Sequence, residues 1–172
     1  MGTEHLKDID RETLVGMLTD FAKNWLAHDG LWFQAVERNS DMDTAIKLDR
    51  EAWDTFTKIE ARRIMQRHGI PEGGGLEALK KALAYRLYAV LNVQVITDET
   101  PTSFIFKMED CRVQSARKRK NMPPFPCKSV GIVEYTEFAR TIDPRIKTEC
   151  LACPPDEMER DYYCGWKFTL EE

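Results

Sequence analysis

The stretch from Leu76 to Phe106, LEALKKALAYRLYAVLNVQVITDETPTSFIF, changes its periodicity halfway along. In the first half Leu76, Leu79, Leu83, Leu87 and Val90 recur at helical spacing, which predicts a helix from about Leu76 to Leu91. The second half reads Val93-Gln94-Val95-Ile96, a turn at Asp98-Glu99-Thr100-Pro101, and alternation from Phe104 to Val113, which predicts an antiparallel hairpin. Helices before this switch and strands after it predict an α+β fold, with N-terminal helices packed on an antiparallel sheet.

Working back from the switch, Gly73-Gly74-Gly75 has no Lys-Ser/Thr after it and no strand before it, so it reads as a linker rather than a phosphate loop. Before it, a helix from about Met42 to Arg67 is capped by Ser40 or Asp41 and stopped at His68-Gly69-Ile70-Pro71. A first helix from about Asp10 to Asn39 carries Leu14, Leu18, Phe21, Trp25, Trp32 and Val36, with Gly30 as a place for a kink or break. Working forward, the basic run Arg117-Lys118-Arg119-Lys120 reads as a solvated loop, followed by Met122-Pro123-Pro124-Phe125-Pro126. A short helix near Val130 to Arg140 and two strands, near Ile146 to Cys150 and Tyr162 to Leu170, complete the pattern.

A chain of 172 residues suits one domain, residues 1–172, with a helical part at about 10–91 and a sheet and metal-binding part at about 93–170. With 42% hydrophobic and 31% charged residues, the composition is that of a folded globular protein. A net charge of -4 argues against nucleic acid as a partner, since phosphate binding needs a basic face. No apolar run is long enough to span a bilayer and the N-terminus lacks an apolar signal core, so a cytoplasmic protein without membrane contact is expected.

Reduced cytoplasmic thiols favour metal binding over disulfides for the five cysteines. Cys150 and Cys153 form a C-x2-C knuckle, with 22 residues between Cys127 and the knuckle and 10 between the knuckle and Cys164. Four thiolates make a closed tetrahedral zinc site with no open position, which is structural rather than catalytic. A cysteine-rich zinc hairpin is therefore expected at the C-terminus. The competing reading is four buried or incidental cysteines. Cys111 reads as a small core hydrophobe in a strand rather than a fifth ligand or nucleophile.

The last third of the chain, with Asp110-Cys111, Ala116, Pro126-Cys127, Gly131, Glu149-Cys150, Cys153 and Cys164-Gly165-Trp166-Lys167-Phe168, resembles the 4-vinyl reductase-type small-ligand-binding domain. That resemblance implies zinc ligands at Cys127, Cys150, Cys153 and Cys164 and a small organic ligand bound beside the metal. The chain departs from it in a longer segment from Pro154 to Tyr163. Over its whole length, at Asp29-Gly30-Leu31-Trp32-Phe33, Val36-Glu37, Ile59-Glu60-Ala61-Arg62-Arg63 and Ile142-Asp143-Pro144-Arg145, the chain also looks like uncharacterised cytosolic proteins distantly similar to 2-aminothiazoline-4-carboxylate hydrolases.

On the second predicted helix, Asp49, Trp53, Phe56, Glu60 and Arg63 fall within roughly 80° of one another at 100° per residue. Charges in the middle of an apolar face must pair or line a hydrated cavity, because unpaired burial costs several kcal/mol. Glu60 can pair with Arg63, and His28 and Trp32 of the first helix can face them. With Phe104 and Phe106 of the hairpin, the residues His28, Trp32, Asp49, Trp53, Glu60 and Arg63 outline a candidate ligand pocket. The bland reading of the same residues is a buried salt-bridge network joining the two helices.

Two functions follow. A zinc-stabilised sensor or carrier would hold a small organic ligand between helices and sheet. A hydrolase acting on a heterocyclic, amino-acid-like substrate would use His28 as acid-base group with Asp49 or Glu60 assisting. Binding is preferred, since no nucleophile-base pair stands out among only three histidines. A sensor without a fused effector would need a partner or an oligomer, such as a homodimer, to report its ligand.

Overall fold

Asp10 opens the first long helix, α1 (Arg11–Asn39), by accepting the Thr13 N–H on Oδ1 at 2.9 Å. The helix runs through Gly30 without the expected break. One glycine costs only about 1 kcal/mol against alanine, too little to interrupt good helix on both sides. Asp41, rather than Ser40, caps α2 (Met42–His68), its Oδ1 taking the Thr44 N–H at 2.7 Å. Gly69 ends α2 in the left-handed region at φ 60°, where a side chain would be strained. The computed structural model describes residues 2–157 and 159–172, with a short 3₁₀ turn at Glu4–Leu6 before α1.

The single helix predicted from Leu76 to Leu91 is two, α3 (Gly75–Leu83) and α4 (Leu87–Leu91). Between them Arg86 leaves the helical path at ψ 152° and carries its guanidinium into the interior, where it is 1% exposed. The glycine run at the start of α3 is tied to a segment about 70 positions along the chain. Gly75 N–H donates to Asp143 Oδ2 at 2.9 Å, and Gly73 N–H donates to the Ile142 carbonyl at 2.8 Å.

The hairpin is β1 (Val93–Thr97) and β2 (Ser103–Asp110). Past Asp110 the chain turns into α5 (Arg112–Arg119), so the strand predicted to Val113 ends three residues early. The basic run is therefore not a solvated loop: its Arg117 is buried, donates to the Pro123 carbonyl at 2.7 Å and pairs with Glu37 of α1 at 3.1 Å. Cys111 sits at the start of α5 and not in a strand. After α6 (Lys128–Ile142) come β3 (Ile146–Ala152) and β4 (Cys164–Leu170). The four strands form one antiparallel sheet in the order β1-β2-β4-β3.

Alternation along β2 buries Phe104, Phe106 and Met108, which lie opposite Phe168, Trp166 and Cys164 of β4. Against this face lies α6, with α2 stacked on its other side. Gly131 lets α6 close on the sheet, since a Cβ there would stand 2.7 Å from the Trp166 ring. On the α2 side, Thr57 and Ala61 are fully buried, and the Thr57 hydroxyl donates to the Glu134 carbonyl at 3.1 Å.

The first helix is attached differently. It touches α2 and α4 and buries only Ala22 completely, while Val15, Leu18, Phe21 and Trp32 stay more than half exposed. No helix is long and apolar enough to cross a membrane among the described residues.

Candidate functional site

A cavity of about 560 Å³ lies between the inner side of α1, the α2–α4 edge, α5, the start of α6 and the ends of β2 and β4. That volume suits a small organic molecule. Its walls are aromatic at Trp53, Tyr88, Tyr135 and Trp166, with Phe33 and Phe125 packed edge to face, 4.8 Å apart, nearer the mouth. Trp53 and Tyr88 stack at 5.9 Å and belong to a larger cluster with Trp25 and Phe56. Burial pushes the Tyr88 and Tyr135 hydroxyls well above their ordinary pKa, so both walls stay neutral.

Three carboxylates line the same space: Asp29 from α1, Asp49 from α2 and Glu134 from α6. Burial pushes Asp49 up to about 7, and the nearby Asp29 and Glu134 charges push the same way. Burial also raises Asp29. Behind Glu134 stands Arg86. Its Nε donates to Glu60 Oε2 at 2.9 Å, and its Nη2 lies 2.8 Å from Glu60 Oε2 and 2.7 Å from Glu134 Oε1. The Nη2 contact is an ion pair rather than an aligned hydrogen bond, and it is the one polar contact of the buried Glu134 Oε1 among the described residues. Burial opposes the charge on Arg86, but Glu60 and Glu134 raise its pKa above the ordinary arginine value. The guanidinium also lies over the Phe138 ring at 4.5 Å.

The cysteines close the sheet end of the cavity. Cys127 precedes α6, Cys150 and Cys153 lie at and just past the end of β3, and Cys164 begins β4. The Cys127 and Cys153 sulfurs are 3.5 Å apart, and Cys153 is also within side-chain hydrogen-bonding reach of Cys150 and Cys164. All five cysteines are free thiols. Hydrogen bonding with Cys153 lowers Cys127 and Cys150 and pushes Cys153 itself up.

Neighbouring groups hold this cluster. Gln114 Nε2 lies 3.6 Å from Cys127 Sγ and Trp166 Nε1 lies 3.4 Å from Cys164 Sγ. Asp156 ties the loop after β3 to α6, accepting the Cys153 N–H at 3.2 Å and pairing with Lys128 at 2.8 Å. Among the described residues no group of three or more His, Cys, Asp or Glu side chains is arranged as a ready metal cage. Cys111 lines the cavity nearby, and burial pushes its thiol up to about 12, out of reach of nucleophilic chemistry at neutral pH.

Of the eight residues outlined as a pocket from sequence, Asp49 and Trp53 line this cavity. The other six stand elsewhere. Glu60 pairs with Arg86 and not with Arg63, because Arg63 points to solvent. Phe104 and Phe106 fill the core between sheet and α6, where their alternation places them. His28 is exposed and Trp32 is 66% exposed. The reason lies in α1, which turns a mixed side, including Asn24, Leu26, Ala27, Gly30, Phe33 and Gln34, to the cavity and leaves Leu18, Phe21 and Trp32 of its apolar stripe in water. The salt-bridge reading of the charged stripe holds for Glu60, but the network joins α2 to α6 and to the α3–α4 connection rather than to α1. Spacing gave no sign of Tyr88, Asp29 or Glu134 as cavity residues, since each belongs to a different helix.

The fold and its site thus define an α+β protein in which a helical layer and an antiparallel sheet enclose one polar and aromatic cavity beside four cysteines. The chain belongs to a family of unknown function, DUF6125, whose model matches residues 7–170. No curated protein and no solved structure gives a significant match.

Proposed function

We propose that the protein binds a small organic ligand in the cavity between α1, α2 and the sheet, as a cytoplasmic sensor or carrier whose cysteine cluster is completed by a structural zinc ion. The observation that carries this reading is the juxtaposition of the cavity and the thiols: Cys127, Cys153 and Cys164 line the same cavity as Trp53, Tyr135 and Trp166. Thiolates about 2.3 Å from a tetrahedral zinc stand about 3.8 Å from one another, close to the Cys127–Cys153 separation of 3.5 Å. The Gln114 and Trp166 donors beside the sulfurs suit ionised thiolates. The resemblance to 4-vinyl reductase-type domains points the same way.

None of the three histidines lines the cavity, which weighs against the hydrolase reading with His28 as acid-base group. One observation still favours hydrolysis: Asp49, pushed up to about 7, is poised as a general base. Elemental analysis should give one zinc per chain, and folded protein free of metal would sink the zinc reading. Thermal-shift and turnover screens of aromatic and thiazoline-type compounds separate binder from enzyme. Ala116→Trp, which fills the α5 side of the cavity, should abolish any binding found, and binding unaffected by it would place the ligand elsewhere.

A further inference from the structure

We infer that the cavity selects an organic cation, a compact molecule carrying a protonated or quaternary nitrogen on an apolar body, with the nitrogen held among Asp29, Asp49 and Glu134. This rests on the cavity being the ligand site.

The charges enclosed with the cavity do not balance. Glu60 and Glu134 share one cation, Arg86, and Asp29 and Asp49 have no salt-bridge partner among the described residues. Glu134 is only 7% exposed, lines the cavity and leaves Oε1 without an aligned hydrogen bond. One guanidinium shared between two buried carboxylates leaves one negative charge of the three groups uncompensated. The raised Asp49 carboxyl reports the same surplus of negative charge, since burial and its acidic neighbours both disfavour ionisation.

The surrounding walls fit an organic rather than a metallic cation. Hard metal ions take six or more oxygen ligands, whereas these carboxylates stand among the rings of Trp53, Tyr88 and Tyr135. Ring faces attract cationic nitrogen, and Arg86 already exploits them, lying 5.9 Å from Trp53, 5.8 Å from Tyr88 and 5.5 Å from Tyr135. Basic residues also line the cavity, but Lys23, Arg112, Arg119 and Lys120 are exposed at its mouth, and the buried Arg117 is taken up by Glu37. Salt screens exposed charges beyond about 8 Å, while the buried Glu134 and the half-buried Asp29 and Asp49 are screened less.

The test compares three probes of similar shape on the full-length, metal-loaded protein by isothermal titration: benzyltrimethylammonium, its neutral isostere neopentylbenzene, and phenylacetate. The cation is expected to bind at least tenfold more tightly than the neutral isostere, with phenylacetate weakest. Asp49→Asn should weaken the cation at least tenfold and leave the isostere unchanged, and Asp29→Asn should act the same way. Both variants should melt no lower than the parent, which removes misfolding as an explanation. If the isostere or phenylacetate binds as well as the cation, the charge inference is overturned and the ligand cavity stands. If no probe binds, the cavity reading falls with it.

Discussion

The cysteines at the sheet end of the cavity and the charged residues at its helical end are both buried polar clusters, yet they differ in what completes them. Arg86 and Glu60 complete each other within the chain, through one hydrogen bond and close ion contacts, and leave Glu134 with half a partner. Among the described residues the thiols have one another and the Gln114 and Trp166 donors. Under the zinc proposal the cysteine cluster makes folding depend on a metal, while the charged cluster, completed by its own side chains, depends only on their burial.

The largest effect should come from the cysteine end. With the proposed zinc in place, Cys153→Ser or a strong chelator would remove metal binding worth on the order of 10 kcal/mol in small structural sites, so cooperative thermal unfolding should be lost. A chelated protein with an unchanged melting curve would erase the contrast. Next comes Arg86→Met, which strands Glu60 and Glu134 without their cation and should cost about 3–5 kcal/mol in urea denaturation. Retained stability would mean that the carboxylates reach water. Gly131→Ala pushes a methyl into the Trp166 ring and should cost roughly 1–3 kcal/mol.

The smallest effect concerns pH. Asp49 faces Asp29 of α1, Glu134 of α6 and Trp53 of its own helix, and its folded pKa of about 7 lies above the ordinary value of 3.8. The folded protein therefore holds a proton that the unfolded chain has released between about pH 4 and 7. Stability from this group is fully present below pH 4 and is lost as the pH rises through 7. Asp49→Asn should flatten that slope and raise stability at pH 8 by about 1–2 kcal/mol, a figure reduced for the partial exposure of the site. An unchanged slope in urea melts from pH 5 to 8 would show that Asp49 ionises normally.

How far the sequence could be read depended on whether a signal was local. Asp41 and Gly69 mark the ends of α2 through their own backbone chemistry, and the switch from helix to hairpin near Asn92 is visible in the change of period. The α3–α4 break was not visible, because Arg86 breaks the helix to reach Glu60 and Glu134, 26 and 48 positions away. Arg117 was misplaced for the same reason: its partner, Glu37, belongs to a distant helix. The charged stripe on α2 was legible as a stripe, but its phase does not say which neighbour each charge meets. For α1 the sequence misleads because an apolar stripe ordinarily faces inward, and here half of it faces solvent.

That loosely seated α1 is also the outer wall of the cavity. Beyond Ala22 it is held by a few fastenings: the Trp25 stack on Phe56, the Phe33–Phe125 edge contact and the Glu37–Arg117 pair. An occupant touching both α1 and α6 would join this helix to the core more firmly than the protein does alone. Amide hydrogen exchange along residues 23–34 would then slow on filling of the cavity while the sheet stayed unchanged, making the helix a gauge of occupancy for any compound, coloured or not.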